Sequence, residues 1–287
     1  MMRGARHMAV AVRRPSGEIL LHSEPLTTAL NNSAWSKLPF VRGLTLLWDT
    51  LSLGLRTLLF SANVALENEQ VELTPPMVIS TLVISLAFVV ALFLVGPLLI
   101  TSLLDRYVVS PLVSNLIEGV IRLIVFLAYV VVIGRLPDIQ RVFAYHGAEH
   151  KAVNAYEAGD ALEIATVSNH STVHTRCGTS FLLVILVLFV LITSLLGRPP
   201  LVWRLISRVL LLPVVAGIAY EVIRFSADHQ DNPLVRLLTI PGLALQQLTT
   251  REPDQSMVEV AITALKRVLA DDGVSPGAQQ ANPIVPH

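Results

Sequence analysis

The residues best suited to chemistry in this 287-residue sequence are two histidines and a glutamate in the pattern H-x-x-E-H. His146 and His150 lie four positions apart, so a helix places both imidazoles on one face, close enough to bind one metal ion. Glu149 lies within reach of both rings. A carboxylate in that position can take a proton from a metal-bound water, which makes Glu149 the predicted catalytic residue.

A second pair of candidate ligands follows in the same loop. His174 and Cys177 are separated by two residues, a spacing that metal sites commonly use. The predicted ligand set is therefore His146, His150, His174 and Cys177. Its nitrogen and sulfur atoms favour a divalent metal ion, with Zn²⁺ first among them. The order H-x-x-E-H is that of inverzincins, in which the glutamate is the base, but so short a pattern also arises by chance.

The alternative interpretation of these residues is an ordinary polar network. Histidine is amphipathic and lies without cost at a membrane boundary, where it hydrogen-bonds to headgroups or to the backbone. The residue types alone leave metal binding and such a network both open.

The H-x-x-E-H residues are predicted to project from one helix. Asp138 is a suitable N-cap for it, and Gly159 is a suitable left-handed stop after Ala158. An apolar face that starts at Ile139 continues along this helix as the two histidines and Glu149.

Composition assigns the chain to the membrane proteins. It is 53% hydrophobic and 15% charged, with a mean hydropathy of +0.63, whereas soluble proteins carry about 25% charged residues. The apolar residues gather into runs long enough to cross a hydrocarbon layer about 30 Å thick. These runs predict four transmembrane helices, at 77–104, 111–134, 179–197 and 205–225.

Charge and cysteine usage exclude two further classes. Basic and acidic residues are equal at 21 each, so no basic excess is present to neutralise phosphates, and direct nucleic-acid binding is not expected. A single cysteine, Cys177, excludes an intramolecular disulfide framework.

Ionisable residues inside the spans are predicted to pair. Glu118 and Arg122 lie four positions apart on one helix face and can neutralise each other. Glu221 is expected to pair with Arg224 or with a residue of another helix. Gly96-Pro97 is expected to kink the first span, which is tolerated where neighbours satisfy the released carbonyls.

The N-terminal region is predicted to hold a hairpin of residues 8–14 and 18–23, followed by a helix over 40–63. Polar residues recur on that helix at about 3.5 positions, which indicates a narrow polar stripe and an interfacial helix. A fifth span is the rival interpretation, and Asp49 and Arg56 count against it.

The C-terminal region is predicted to begin with an interfacial or re-entrant segment, 234–248, broken by Pro241-Gly242. An amphipathic helix should start near Ser256, where Ser256-x-x-Glu259 matches a capping box, and end before Asp271. The tail that follows is expected to be disordered.

These elements together predict an all-α membrane protein with about four transmembrane helices, an interfacial N-terminal helix, a small N-terminal hairpin and a cytoplasmic helical loop. The loop and both terminal regions carry most of the Lys and Arg, which places them in the cytoplasm of a cell with this protein in its inner membrane. The predicted divisions are 1–73 (cytoplasmic or interfacial), 77–134 (spans), 135–178 (loop with the candidate site), 179–225 (spans), 226–270 (cytoplasmic or interfacial) and 271–287 (disordered tail).

Several longer stretches are distinctive. They are Tyr145-His146-Gly147-Ala148-Glu149-His150-Lys151, Asn154-Ala155-Tyr156-Glu157, His174 with Arg176-Cys177-Gly178-Thr179-Ser180-Phe181, Tyr220-Glu221 and Leu248-Thr249-Thr250-Arg251-Glu252-Pro253. Through them the sequence resembles the bacterial YqhQ family of membrane proteins, from position 2 to about position 269. The family has no settled function and is sometimes labelled a metal-dependent enzyme, so the resemblance implies a metal but no substrate. Members usually begin upstream of Met1, and they often have another residue at His170, which is therefore not assigned as a ligand.

Two functional hypotheses follow. The first is a membrane-embedded, metal-dependent hydrolytic enzyme, in which His146, His150 and His174 hold the metal and Glu149 activates its water. The alternative is a non-enzymatic accessory or scaffold for other membrane proteins, acting in their insertion or assembly, with a structural His/Cys site. All four ligands on one metal would close a tetrahedral site and favour structure, whereas three leave a position for water.

The predicted topology can be tested by reporter fusions or cysteine labelling at positions 106, 159, 198 and 273. Labels at 106 and 198 should react from outside the cell, and those at 159 and 273 should be protected, because the Lys/Arg-rich segments stay in the cytoplasm. Labelling at 159 from outside would reverse the orientation. Opposite sides for positions 37 and 71 would establish the fifth span.

Overall fold

The computed structural model describes residues 1–26, 38, 40–67, 73–175, 177–229 and 232–274. Positions 37 and 71 and nearly all of the tail predicted to be disordered lie outside them. The strands are β1 (Met2–Arg3), β2 (His7–Arg13) and β3 (Ile19–Pro25). The helices are α1 (Val41–Ala65), α2 (Pro75–Val90), α3 (Gly96–Leu104), α4 (Pro111–Ile133), α5 (Pro137–Ala158), α6 (Ile164–Val167), α7 (Gly178–Ser194), α8 (Leu201–Asp228), α9 (Pro233–Thr249) and α10 (Gln255–Asp271).

Three of the four predicted spans are helices long and apolar enough to cross a bilayer. In the described residues they are Pro75–Leu104, Pro111–Ile133 and Leu201–Ser226. The remaining one is α7, which is apolar but has 17 residues and rises only about 26 Å. The chain is thus an all-α membrane protein, as predicted, with three full-length helices and a shorter apolar one. Large apolar side chains along these helices stay exposed, as surfaces that face lipid must.

The regular α-helix of the first span is interrupted where Gly96-Pro97 predicted a kink. A π-helical segment, Ala91–Val95, separates α2 from α3 immediately before the proline. Pro97 has no N–H with which to bond the carbonyl of Phe93, four positions earlier. Nε of Arg122, on α4, donates to that carbonyl at 2.9 Å. A neighbouring helix therefore satisfies the carbonyl that the proline releases, which is the condition for a kink inside a membrane.

The membrane helices pack around α7, which contacts α4, α8 and α9. A Cβ on Gly119 of α4 would lie 2.3 Å from Cγ1 of Val190 on α7, so only glycine permits this close approach. Leu94, Phe189 and Val215 form a buried apolar cluster between the π-helical segment, α7 and α8. The shorter helix is thus the centre of the bundle.

A second core lies outside the spans, in a lobe formed by the three strands with α5, α6 and α10. The strands form an antiparallel sheet in the order β1-β2-β3. The predicted hairpin is confirmed as β2 and β3, whereas the two-residue β1 gave no sequence signal. The buried side chains of this core include Ala148, Val153 and Leu265, together with Met2 from the sheet.

The helix α1 is joined to both parts of the protein by polar contacts. Arg42 forms an ion pair with Glu221 of α8, and Nη2 of Arg3 lies 3.0 Å from Oδ2 of Asp49. Glu221 thus pairs between helices. In the part of the chain that the structure describes, α1 is not among the helices apolar enough to span, and its interfacial position stays a prediction.

Three local predictions were wrong in detail. The helix α9 continues through Pro241 rather than breaking there. The N-cap of α10 is Asp254, whose carboxylate accepts from the N–H of Met257 at 2.9 Å, so the Ser256 capping box does not form. The helix α5 begins at Pro137, which puts Asp138 in its first turn rather than at its cap. Its end is as predicted, with Gly159 in the left-handed region at φ 84°.

Candidate metal centre

The helix α5 and the start of α7 bring three of the predicted ligands together. One donor atom each from His146, His150 and Cys177 lies within 4.8 Å of the other two. The two imidazole centroids are 4.3 Å apart, as expected for positions four residues apart on one helix. His150 is fully buried and Cys177 is 4% exposed, whereas His146 is partly exposed.

Backbone carbonyls hold both imidazoles in one tautomer. Nδ1 of His146 lies 3.0 Å from the carbonyl oxygen of Thr249, and Nδ1 of His150 lies 2.6 Å from that of Thr172. Since a carbonyl only accepts, each Nδ1 carries the proton, and each Nε2 of a neutral ring presents a lone pair. Metal-binding histidines are held in this way, with the second nitrogen donating to a carbonyl or carboxylate.

The two Nε2 atoms differ in what they meet. Nε2 of His146 lies 3.2 Å from Sγ of Cys177. Nε2 of His150 is buried and has no hydrogen-bond partner among the described residues. A buried imidazole nitrogen without a partner is uncommon, because leaving an acceptor unsatisfied costs about 1–3 kcal/mol. A metal ion or a hydrogen-bond donor that binds the lone pair of this nitrogen would remove that cost.

Cys177 is ionised at neutral pH. It is the N-cap of α7, and its Sγ accepts from the N–H of Thr179 at 3.5 Å. Burial alone would raise the pKa of the thiol, but the imidazoles of His146 and His150 beside it, together with Thr179, lower the pKa to about 5. The thiolate is the form of cysteine that binds metal ions. Without a metal, the same atoms form a thiolate–imidazolium contact: burial lowers the pKa of His146, but Cys177, the carbonyl of Thr249 and Glu149 together outweigh burial and raise the pKa.

His174 lies next to these three residues and faces a different partner. Its ring centroid is 5.9 Å from that of His150, and its Nε2 lies 3.2 Å from a carboxylate oxygen of Glu157. The side-chain amide of Gln246 on α9 clamps its backbone, accepting from the N–H at 3.0 Å and donating to the carbonyl at 2.9 Å. The prediction of His174 as a ligand remains a prediction.

The proposed base, Glu149, is on the same helix but is not one of the three clustered donors. Its side chain is 14% exposed, and a carboxylate oxygen lies 3.7 Å from the amino nitrogen of Met1. Its charge contributes to the raised pKa of His146, after the larger effects of burial, Cys177 and Thr249. The catalytic assignment of Glu149 also remains a prediction.

Several residues that build the site were missed by sequence reasoning. Thr249 and Thr172 act through backbone carbonyls, which every residue has, so their residue types give no indication of this role. Lys151 was noted only as part of a motif, yet it is 4% exposed and its Nζ donates to the carbonyls of Ser168 and His170, each at 2.7 Å. The position of this lysine on the apolar face of α5 was the sequence feature that could have indicated a buried polar network.

The family model described as "Protein of unknown function (DUF1385)" matches residues 38–271. A similar protein is the "Uncharacterized protein YqhQ" of Bacillus subtilis (strain 168). The two are 33% identical over 288 residues, which cover 96% of this chain and 91% of the relative. No solved structure matches the chain.

The close approach of α5 to the segment after α9 can be tested at a glycine. A Cβ on Gly147 would lie 2.2 Å from the carbonyl oxygen of Arg251, so Gly147→Ala should separate the two and destabilise the protein by about 1–3 kcal/mol. Gly54→Ala, in α1 with nothing within 4 Å, is the matched control and should be neutral or stabilising by up to about 1 kcal/mol. Thermal unfolding in one detergent compares them, and equal midpoints would contradict the close approach.

Proposed function

The chain belongs to the DUF1385 family of proteins of unknown function, and we propose that it is a membrane protein that binds one divalent metal ion through His146, His150 and Cys177. The observation that carries the proposal is the pair of imidazoles anchored at Nδ1, with one nitrogen of each ring and the sulfur of Cys177 lying within 4.8 Å of one another.

The donor set fits Zn²⁺. Two imidazole nitrogens and one thiolate are borderline-soft ligands, which suit zinc far better than calcium or magnesium. Nε2 of His150, which is buried and has no hydrogen-bond partner in the described part of the chain, is the atom whose environment a metal would complete. The fourth position of a tetrahedral site would fall to His174, after a change of partner, or to a small molecule such as water.

The role that the geometry supports best is fastening of the lobe to the membrane helices. Both histidines come from α5, which is part of the lobe core, and Cys177 caps α7 at the centre of the bundle. The carbonyl that holds His146 belongs to the last residue of α9. A metal at this point would join α5, α7 and α9 and hold the lobe in one orientation relative to the membrane helices. A fixed lobe suits an accessory or scaffold for other membrane proteins.

Metal-dependent hydrolysis is the second candidate. A three-donor site keeps a position for water, as catalytic zinc sites do, and the partly exposed His146 gives a side from which a small substrate could approach. In that case Glu149, one turn from His146, would take the proton from the water. The deep burial of His150 and Cys177 favours the fastening role over this one.

We also propose that the site lies at the cytoplasmic face of a cell membrane. The lobe and the loop that holds the site carry more basic residues than the opposite end of the bundle, which has Arg106, Arg198 and Arg204. The basic residues of the lobe and loop include Arg3, Arg6, Arg13, Arg14, Arg135, Arg141, Lys151 and Lys266. Positive residues in short loops are retained on the cytoplasmic side, which supports this orientation.

Metal analysis of the purified protein tests the site itself. The wild-type protein should carry about one zinc ion per chain. His146→Ala, His150→Ala and Cys177→Ala should each lose it, while His229→Ala, an exposed histidine at the end of α8, should keep it. Retention in His174→Ala would identify a three-donor site, and loss would add His174 to the ligands. Full zinc occupancy in the first three variants would leave the polar network as the correct interpretation.

The role of the site is tested by chelation together with Glu149→Gln. If the metal fastens the lobe, a chelator should lower the unfolding temperature of the wild type and leave that of Cys177→Ala unchanged, because a ligand that binds only the folded state stabilises it. Glu149→Gln should keep metal and stability and replace the wild type in a cell that lacks it, since an amide preserves size and most hydrogen bonding. A folded, metal-loaded Glu149→Gln that fails in the cell would instead favour the hydrolytic candidate, because an amide cannot act as general base.

A further inference from the structure

A group of buried charged side chains lies inside the membrane bundle, at the end opposite to the candidate metal centre. Arg122 of α4 and Arg204 and Arg208 of α8 converge there, and we refer to these three residues as the arginine cluster. Their exposed fractions are 4%, 2% and 0%. Burial of a charged side chain at membrane depth is costly and is a mark of function.

The acidic partners are too few for the arginines. Glu118 forms ion pairs with all three members of the cluster, at nitrogen–oxygen distances of 2.7 Å to Arg122, 2.9 Å to Arg204 and 3.2 Å to Arg208. Asp105 pairs with Arg204 at 2.9 Å and with Arg198, nearer the surface, at 3.6 Å. Four guanidinium groups thus share two carboxylates, which leaves two positive charges without a counterion among the described residues.

Hydrogen-bond acceptors for the guanidinium N–H groups are also too few among the described residues. Ser114 and Asn115 supply neutral acceptors to Arg204 and Arg208, at distances of 3.1 to 3.3 Å. Even so, Nη1 of Arg122, Nε of Arg204 and Nη1 of Arg208 are buried and have no acceptor among the described residues. The Arg122 guanidinium also lies 4.7 Å from the centroid of the Phe189 ring, which attracts it but does not neutralise it. The donors without acceptors belong to three side chains on two helices.

The helix ends add to the positive potential. Both α4 and α8 begin at this end of the bundle, and Glu118 and Arg208 each lie about 10 Å along their helices from the first residue. The N-terminal end of a helix carries a partial positive charge and favours anions. Arg204 lies in the first turn of α8, where this partial charge acts, so the positive end of the helix adds to the positive charge of the cluster.

We propose that the arginine cluster binds an anion that bears a phosphate group. A phosphate offers several acceptor oxygens and a charge between −1 and −2, which matches three donors and two uncompensated charges. Guanidinium groups recognise phosphate oxygens through paired N–H donors. Basic pockets between transmembrane helices bind lipid phosphates in this way. The phosphate can belong to the headgroup of a bilayer phospholipid or to a free phosphate compound.

Thermal unfolding of the full-length protein, delipidated in a neutral detergent, tests the site. The additions are phosphatidylglycerol, inorganic phosphate, and diacylglycerol and chloride as compounds without phosphate, at matched ionic strength. At least one of the first two should raise the unfolding temperature, and neither control should. A response to phosphatidylglycerol alone identifies a lipid headgroup, and a response to inorganic phosphate identifies a free anion. No response to either, or an equal response to diacylglycerol, would overturn the proposal.

A matched pair of variants locates the effect. Arg208→Gln removes one charge and one of the three donors that have no acceptor among the described residues, and it should weaken the apparent affinity for the effective phosphate compound by about tenfold or more. Arg106→Gln, an exposed arginine in the loop at the same end of the bundle, should respond as the wild type does. An equal response in both variants would place the bound anion elsewhere. If Arg208→Gln does not fold, the wild-type comparison with diacylglycerol still decides.

Discussion

Hydrocarbon offers no hydrogen bonds, so every polar group in the membrane part of this protein depends on another part of the protein. The kink at Pro97 releases the carbonyl of Phe93, and Arg122 donates to it. That arginine needs a counterion, which Glu118 supplies at 2.7 Å. Glu118 in turn draws in Arg204 and Arg208. One proline in the first span is thereby connected to a chain of charges across α4 and α8, and the packing of the bundle is fixed by these partners as much as by its apolar contacts.

The two polar sites at opposite ends of the bundle share one design. In each site, one polar atom of the side chain is bound by the protein and another remains available for a ligand. The histidines are held at Nδ1, and the arginines are held by their contacts with Glu118. A side chain that is already held in place loses less conformational entropy when a ligand binds. The atoms that remain available have opposite electrostatic character. Imidazole lone pairs and a thiolate attract cations, whereas guanidinium N–H groups attract anions.

The sequence predicted what depends on local pattern and missed what depends on distant backbone. Hydrophobic runs located the apolar helices, the four-residue spacing brought His146 and His150 together, and Gly159 ended α5 as expected. The carbonyl of Thr249, which anchors His146 from 103 positions away, could not be inferred, because every residue has a carbonyl. The burial of Arg204 and Arg208 could not be inferred either, since a hydropathy pattern gives no indication that Glu118 on another helix would pair with them.

The short helix α7 connects the two ends physically. Cys177 is its N-cap, and Phe189, beneath Arg122, lies about 18 Å further along it. With 17 residues α7 is a few ångström shorter than a typical hydrocarbon layer, so its ends are drawn toward the apolar region or the bilayer thins around it. Cys177 is 4% exposed, and a buried thiolate is costly unless a cation or hydrogen-bond donors accompany it. The two histidines of α5 lie beside it, so the position of the N-terminus of α7 determines where the candidate metal centre can form.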